Sequence, residues 1–218
     1  LIPTSGSTGS KKLVKLSYQN IESNTSAIIN YLKLDSKQIT ITTLPFSYSF
    51  GMSIINTLIK VGGKIVVTKK SFFNKEFWIL IKNEKVNYIS GVPYTFEILD
   101  KLRFYKLDLP YIQKITQAGG NLSIELKEKI KNYSKLNNIE FYIMYGQTEA
   151  SPRISFVDPE KLPEKIKSIG KAIPGGNLYI IDKDDELINE PNITGEIVYE
   201  GENVSMGYAF SYKDIRNP

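Results

Sequence analysis

The chain has 218 residues, of which 41% are hydrophobic and 23% are charged, and its formal net charge is +5. This length suffices for one large domain or two small ones with a buried core. Cysteine and histidine are both absent, which excludes disulfides, Cys/His metal sites and catalytic arrangements built on a thiol or an imidazole. Any chemistry therefore depends on hydroxyl, amide, carboxylate, amine and backbone groups.

The positive charge comes mostly from lysines spread along the chain. No basic run is interleaved with stacking aromatic residues, so the charge indicates a solvated surface rather than nucleic-acid binding. The longest apolar runs, such as residues 78–81, fall far short of the roughly 20 residues that a membrane span requires. We expect a cytoplasmic protein. Because the chain opens without Met or a signal peptide, we interpret it as a piece of a longer protein.

Short segments rich in β-branched and aromatic residues alternate with helical patterns over the first two thirds of the chain. The predicted strands are residues 38–44, 64–69, 86–92, 114–117 and 139–144. The predicted helices are residues 17–32, 52–60, 75–82, 93–102 and 123–136, the last with Ser123 as N-cap and Glu125 in its first turn. This alternation predicts an α/β fold with a mostly parallel sheet and helices on both faces.

The pattern changes after residue 145, where prolines become frequent. We predict an α/β subdomain over residues 1–150 and a connecting loop over residues 151–167. Residues 168–218 are then the start of a small antiparallel β unit, with strands at 178–182 and 195–199.

The strongest local motif is a run of small hydroxyl residues and two glycines that ends in lysines. It consists of Thr4, Ser5, Gly6, Ser7, Thr8, Gly9, Ser10, Lys11 and Lys12. Small side chains let backbone N–H groups close around an anion, and the hydroxyls and a lysine add donors and charge. The run predicts a triphosphate cradle, although its spacing fits neither G-x-x-x-x-G-K nor G-x-G-x-x-G. A flexible Gly/Ser linker is the alternative.

A second motif, Tyr145, Gly146, Gln147, Thr148 and Glu149, directly follows the predicted strand 139–144. It therefore lies at the carboxyl end of a strand, where open α/β sheets bind ligands. Its aromatic ring can stack on a base, its hydroxyl can contact a phosphate, and its carboxylate can bind Mg²⁺.

Four blocks in chain order resemble the motifs of the adenylate-forming enzymes, which include acyl-CoA synthetases, adenylation domains of peptide synthetases and luciferases. They are residues 4–12, 117–121, 145–149 and 194–208, and a fifth block, 168–175, resembles the family's segment before its small β-barrel. The resemblance covers nearly the whole chain. It implies the central part of the family's large N-terminal domain: an ATP- and acid-binding subdomain, then the start of the β-barrel, without the mobile C-terminal domain.

The resemblance also implies a role for each matching residue. Thr4, Ser5, Gly6, Ser7, Thr8, Gly9 and Lys12 would hold the ATP phosphates, and Gly119, Gly120 and Asn121 would face the adenine opposite Tyr145 and Gly146. Thr148 would contact the α-phosphate, Glu149 and Thr8 would coordinate Mg²⁺, and Thr148, Glu149 and Lys12 would serve catalysis. The acid would contact Tyr48, Tyr94, Gln117, Gly119, Gly146 and Gln147. The loop departs from the family's pattern at Lys11, where the family has Pro, and at Leu13, where it has Gly.

The implied activity is the ATP-dependent conversion of a small carboxylic acid to its acyl-adenylate with release of pyrophosphate, followed by transfer to the thiol of CoA or phosphopantetheine. A carboxylate is already ionised at neutral pH, so no general base is needed and the lack of histidine is no obstacle. Residues 45–51 contain no carboxylate to pair with an α-ammonium group, which favours an acid without an α-amine.

Two alternatives remain open at this stage. One is an adenylation domain that loads an amino acid or aryl acid onto an acyl carrier protein. The other is a nucleotide-binding fragment that is inactive alone, because the family's ribose-binding Asp and C-terminal lysine have no counterpart before Pro218.

Overall fold

A computed structural model of the chain describes residues 1–3, 12–211 and 213–216. The strands are β1 (Ile2–Pro3), β2 (Leu13–Val14), β3 (Ile39–Ile41), β4 (Lys64–Val66), β5 (Tyr88–Gly91), β6 (Lys114–Gln117), β7 (Glu140–Gly146), β8 (Arg153–Val157), β9 (Lys171–Ala172), β10 (Gly176–Ile181), β11 (Glu196–Gly201) and β12 (Tyr208–Ala209). The α-helices are α1 (Tyr18–Leu32), α2 (Ser49–Val61), α3 (Lys75–Asn83), α4 (Pro93–Lys101), α5 (Ile124–Leu136), α6 (Leu162–Lys165) and α7 (Lys213–Arg216). Single 3₁₀ turns lie at Phe104–Lys106, Thr148–Ala150 and Pro159–Lys161.

Seven strands form the main sheet in the order β4-β3-β5-β6-β7-β8-β9. The pairs from β4 to β7 are parallel, whereas β8 runs antiparallel to both β7 and β9. Helices connect the parallel strands, as βαβ crossovers require. The predicted α/β fold with a mostly parallel sheet is therefore confirmed.

Strand β7 shows how the sheet separates two hydrophobic cores. Phe141 and Ile143 pack with residues of α3, α4 and α5, whereas Tyr142 and Met144 pack with residues of α1 and α2. Successive side chains of a strand point to opposite faces, so the two helix groups cover opposite faces of the sheet. The predicted two-sided covering follows from this alternation.

Helix starts follow the local capping chemistry. Ser17 Oγ accepts a hydrogen bond from Asn20 N at 3.0 Å, and Asn20 Oδ1 accepts one from Ser17 N at 2.9 Å. Ser123 Oγ accepts one from Leu126 N at 3.3 Å. Helix α2 begins at Ser49, three residues before its predicted start. A Cβ atom at Gly51 would lie 2.2 Å from the Pro45 carbonyl oxygen, so glycine lets this helix begin close to the preceding turn.

The segment 151–167, which was expected to be a connecting loop, contains the buried strand β8. All five of its residues are buried, and it extends the main sheet beyond β7. This strand is difficult to predict from the sequence, because prolines lie on both sides of it and its first residue is an arginine. The buried Arg153 guanidinium lies 4.7 Å from the centre of the Phe50 ring, which is a favourable cation–π contact.

The chain after β9 forms the expected antiparallel unit. Strands β10 and β11 pair over six residues each, from Gly176 opposite Gly201 to Ile181 opposite Glu196. Strand β12 then pairs antiparallel with β2, which also pairs with β1. This three-stranded sheet brings the last described strand beside the residues that follow the predicted phosphate loop.

In the part of the chain that the structure describes, no helix has both the length and the apolar character needed to cross a bilayer. The cytoplasmic location stays a prediction.

Two glycines with the same φ angle allow a test of the contact between β8 and the residue just before β9. Gly170 and Gly175 both have φ +85°, but a Cβ at Gly170 would lie 1.9 Å from the Phe156 carbonyl oxygen, whereas one at Gly175 would meet nothing within 4 Å. We expect Gly175→Ala to cost about 1–2 kcal/mol through backbone strain. Gly170→Ala should cost roughly 1–3 kcal/mol more through overpacking. Urea unfolding measures both, and equal losses would contradict the clash at Gly170.

Candidate nucleotide-binding site

The site forms where the parallel strands β6 and β7 end side by side. Thr116 and Gln117 of β6 lie opposite Tyr142 and Ile143 of β7, so the segments after both strands emerge at the same edge of the sheet. This edge is the usual ligand position in open α/β sheets.

The loop after β6 depends on two glycines with positive φ. Gly119 has φ +78°, and a Cβ there would lie 2.6 Å from the Tyr48 hydroxyl oxygen. Gly120 has φ +157°. The buried Gln117 side chain closes the loop, since its Nε2 donates to the Gly120 carbonyl oxygen at 2.8 Å. The loop thus presents backbone rather than side chain next to the Tyr48 hydroxyl.

The end of β7, at Tyr145 and Gly146, is fixed by the turn that follows it. Gln147 N donates to the Pro152 carbonyl oxygen at 2.8 Å, and a Cβ at Gly146 would lie 2.0 Å from that same oxygen. Gln147 Nε2 donates to the Tyr145 hydroxyl oxygen at 3.0 Å, which holds the ring from its edge. Thr148 Oγ1 lies 3.1 Å from Ser49 Oγ at the start of α2. Only glycine fits at position 146 without moving this turn.

A cavity of about 560 Å³ lies between the loop after β6 and the last residues of β7. It is lined by Gln117, Gly119, Gly120, Asn121, Lys127, Ile143, Met144, Tyr145, Gly146, Lys167, Ser168 and Ile169. Its volume lies in the range of small-molecule sites. The structure thus brings together the residues that were predicted to border an adenine, and adds the unpredicted Lys127.

A second cluster joins the end of the predicted phosphate loop to Glu149. The Tyr208 hydroxyl of β12 donates to Glu149 Oε1 at 2.8 Å, and Lys12 Nζ lies 4.0 Å from the centre of the Tyr208 ring. Ser205 N also donates to the Glu149 carbonyl oxygen at 2.7 Å. Tyr208 therefore orients a carboxylate and holds a cation beside it.

The other predicted site residues have different positions. Thr4, Ser5, Gly6, Ser7, Thr8 and Gly9 lie outside the described residues. Tyr94 is 66% exposed at the start of α4, and Gln147 is exposed. Neither lines the cavity that contains Gln117, Gly119 and Gly146. The predicted acid-binding set is therefore not gathered in one place: Gln117, Gly119 and Gly146 line this cavity, Tyr94 and Gln147 are exposed, and the half-buried Tyr48 lies next to Gly119 outside the cavity lining.

Two buried asparagines that were not predicted as functional hold the turn after Glu149. Asn24 Nδ2 donates to the carbonyl oxygens of Ala150 and Arg153 at 3.2 and 3.1 Å. Asn203 Nδ2 donates to the same two oxygens at 2.6 and 2.9 Å, and its Oδ1 accepts from the Tyr199 hydroxyl at 2.8 Å. The two amides tie α1 and the turn after β11 to the site.

For Asn24, the sequence alone gives a partial indication of a structural role. Asn24 lies on the face of α1 that also carries Ala27, Ile28 and Tyr31 and is buried. An asparagine on a buried helical face needs a hydrogen-bond partner. The partner could not be predicted, because it lies far away in the sequence.

Burial lowers the pKa of Lys127 below its ordinary value, because the charged form loses hydration. The Lys127 residue is 5% exposed, and its Nζ lies 3.4 Å from Asn121 Oδ1. The cavity wall therefore includes a cation that is poorly solvated by the protein itself.

The fold and the site together define an α/β protein with a cavity at the carboxyl ends of two neighbouring parallel strands. The chain belongs to the AMP-binding enzyme family, whose pattern matches residues 1–209.

Named relatives support this assignment. The chain is 31% identical over 214 residues to the mitochondrial medium-chain acyl-CoA ligase ACSF2 of Rattus norvegicus, covering 94% of this chain and 34% of the relative. It is 30% identical over 210 residues to the 2-succinylbenzoate–CoA ligase of Staphylococcus aureus (strain MSSA476), covering 95% of this chain and 39% of the relative. The chain thus spans a little over a third of the length of these relatives.

Solved structures show the same fold. The o-succinylbenzoate CoA synthetase (MenE) of Bacillus subtilis, bound to the product analogue OSB-NCoA, superposes with a TM-score of 0.85 at 25% identity, over 99% of this chain and 42% of that protein. The same enzyme in complex with ATP and a magnesium ion gives a TM-score of 0.83 at 25% identity, over 98% of this chain and 43% of that protein.

The shared donors of Asn24 and Asn203 generate a prediction about coupling. Either Asn24→Ala or Asn203→Ala leaves the carbonyl groups of Ala150 and Arg153 with one amide donor. We expect each single variant to lower the free energy of unfolding by about 1 kcal/mol. The double variant should lose roughly 1–3 kcal/mol more than the sum, because both amide donors are then missing.

Urea unfolding of the four proteins of this double-mutant cycle measures the coupling. Asn177→Ala, at an exposed position of β10, is the matched control and should change stability little. Additive losses, within about 0.5 kcal/mol, would show that the two amides act independently.

Proposed function

We propose that this chain carries the ATP- and acid-binding part of an enzyme that activates a carboxylic acid as its acyl-adenylate, releases pyrophosphate and transfers the acyl group to CoA. The observation that carries the proposal is the arrangement of the loop after β6 and the last residues of β7 around one cavity, together with the cluster in which Tyr208 contacts both Lys12 and Glu149. Membership of the AMP-binding enzyme family and relatives named as CoA ligases support it.

In this proposal the base of ATP enters the cavity between the Gly119–Gly120 backbone and the Tyr145 ring. A side chain at Gly119 would meet the Tyr48 hydroxyl, so glycine is needed there and the loop borders the cavity with its backbone. Tyr145 offers its face for stacking while its hydroxyl is held by Gln147. Thr148 forms a hydrogen bond with Ser49, and in this proposal its hydroxyl contacts the α-phosphate.

The donor set fits a magnesium–nucleotide complex. Mg²⁺ in such sites binds one or two carboxylates and completes its shell with substrate phosphates and water. The described residues include no group of three or more acidic side chains that could hold a metal alone, whereas Glu149 is a single, oriented carboxylate beside Lys12. Bound Mg²⁺ would neutralise phosphate charge. Glu149 would hold it, and Tyr208 would keep the carboxylate in place.

The reaction needs little proton transfer from the protein. The acid is ionised at neutral pH, so one carboxylate oxygen attacks the α-phosphorus, and the bond between the α- and β-phosphates breaks as pyrophosphate leaves. The protein's contribution is to hold the two anions close together and to neutralise their charge. Lys12 supplies fixed positive charge for this purpose.

The positive charge near α2 favours a carboxylic acid substrate that lacks an α-amine. Arg153 is 2% exposed, lies against Phe50, and forms no ion pair with any residue that the structure describes. A buried cation beside the Tyr48 and Phe50 segment repels an ammonium group and attracts an anion. The relatives' substrates, medium-chain acids and 2-succinylbenzoate, point to acids of this kind. Loading of an acyl carrier protein is the second candidate, and no contact in the structure favours it.

The test is acid-dependent exchange of labelled pyrophosphate into ATP, followed by thioester formation with CoA, using the full-length protein. Medium-chain fatty acids, aromatic carboxylic acids and amino acids form the panel. We expect exchange with an acid that lacks an α-amine, and thioester formation with CoA. Exchange with amino acids alone would favour the carrier-protein alternative, and a folded protein inactive with every acid would reject the proposal.

Substitutions at Glu149 separate metal binding from structure. Glu149→Gln keeps the shape and removes the charge, so adenylate formation should fall on the order of a hundredfold, and more than ATP affinity does. Tyr208→Phe removes only the hydroxyl that orients Glu149 and should cost less than tenfold. Single-turnover rates and equilibrium ATP binding measure both effects, with the exposed Glu164→Gln as control. Equal losses of rate and affinity in Glu149→Gln would mean that Glu149 has a structural role.

A further inference from the structure

Lys127 is placed where a structural lysine is unfavourable. It is the fourth residue of α5, and only 5% of it is exposed. The first turn of a helix carries partial positive charge, which repels a cation. Burial adds a desolvation cost, because an ammonium group loses its water. A lysine at this position therefore needs a compensating interaction.

The protein supplies little compensation by itself. Lys127 Nζ contacts Asn121 Oδ1 at 3.4 Å, a long hydrogen bond to a neutral acceptor. The ion pairs of α5 are formed by Lys129, with Asp100 and Glu125, and by Lys131, with Glu128. Among residues 12–211, no carboxylate lies within ion-pair distance of Lys127. At least two of its three N–H donors thus have no described partner.

Lys127 does, however, line the cavity of about 560 Å³ between the Gln117–Asn121 loop and Tyr145. The other lysine on this wall, Lys167, is exposed and therefore well hydrated. The wall also includes Ile143, whose side chain cannot hydrogen-bond. A ligand with an acceptor atom at this end of the cavity would give the buried ammonium the partner that it lacks.

We propose that Lys127 is a nucleotide-binding residue whose ammonium donates a hydrogen bond to a ring nitrogen on the edge of the purine base. This inference rests on the proposed binding of ATP in the cavity and adds a residue that contacts the base itself. Purine rings offer unprotonated nitrogens as acceptors at their edges, and an ammonium is a donor only. Asn121, held by the same lysine, would lie beside that edge.

The alternative is that Lys127 only positions Asn121. The two roles differ in their response to a change in the ligand. If Lys127 contacts the base, then removing the lysine and removing the ring nitrogen abolish the same hydrogen bond, so their effects are not additive. If Lys127 acts through Asn121, the two changes are independent.

The experiment is calorimetric binding of ATP, 7-deaza-ATP and 1-deaza-ATP to full-length wild type and Lys127→Met, without an acid substrate. A hydrogen bond to a charged donor is lost, so we expect ATP to bind about tenfold more weakly, or worse, to Lys127→Met. Wild type should bind one of the two deaza analogues similarly weakly, and Lys127→Met should bind that analogue and ATP equally well. Equal weakening of all three nucleotides by the substitution would overturn the proposal in favour of positioning.

Two controls keep the outcome clear. Lys131→Met, one turn further along α5, removes the same charge outside the cavity and should leave the ATP affinity unchanged. Lys127→Gln tests the base contact again if Lys127→Met unfolds, as monitored by circular dichroism. Absence of ATP binding to wild type would mean that the proposed function fails. Binding to wild type with no change in either Lys127 variant would refute this inference alone.

Discussion

Two backbone carbonyl groups, those of Ala150 and Arg153, govern how the site is held together. Ala150 ends the 3₁₀ turn Thr148–Ala150 and Arg153 begins β8, and both are buried, so an unpaired acceptor there is costly. Asn24 and Asn203 satisfy the two carbonyl groups from two directions. Because Glu149 lies in the same 3₁₀ turn as Ala150, these hydrogen bonds help to hold the proposed metal ligand in position. The site is thus stabilised by ordinary burial of polar groups, not by the ligand alone.

The sequence predicted the main sheet because its signals are local. Alternation of short apolar strands with capped helices is visible within windows of about 15 residues, and Ser17 and Ser123 cap helices as their neighbours require. Strand β8 was missed because its first residue is an arginine, whose partners inside the protein, such as Phe50, are brought to it only by the fold. Local patterns carry no information about such a partner.

The candidate site likewise contains residues that local motifs predict and residues that they do not. Residues in short motifs, such as Gly119, Gly120 and Tyr145, were predicted together and line one cavity. Tyr208 and Asn203 act through partners more than fifty residues away, and Lys127 becomes notable only when its burial is known. Motifs therefore indicate which residues meet the ligand, whereas the groups that hold those residues in place become evident only in the folded chain.

The pairing of β12 with β2 has a consequence for the order in which the protein acquires its structure. These strands come from opposite ends of the chain, and their contact closes a loop of nearly the whole sequence. Contacts of such high sequence separation have a large loop-closure entropy and tend to form after local ones. The βαβ units can assemble as they are synthesised, but the contacts of Tyr208 with Lys12 and Glu149 cannot form until β12 has emerged. The proposed nucleotide site is therefore expected to be completed only after the βαβ units have formed.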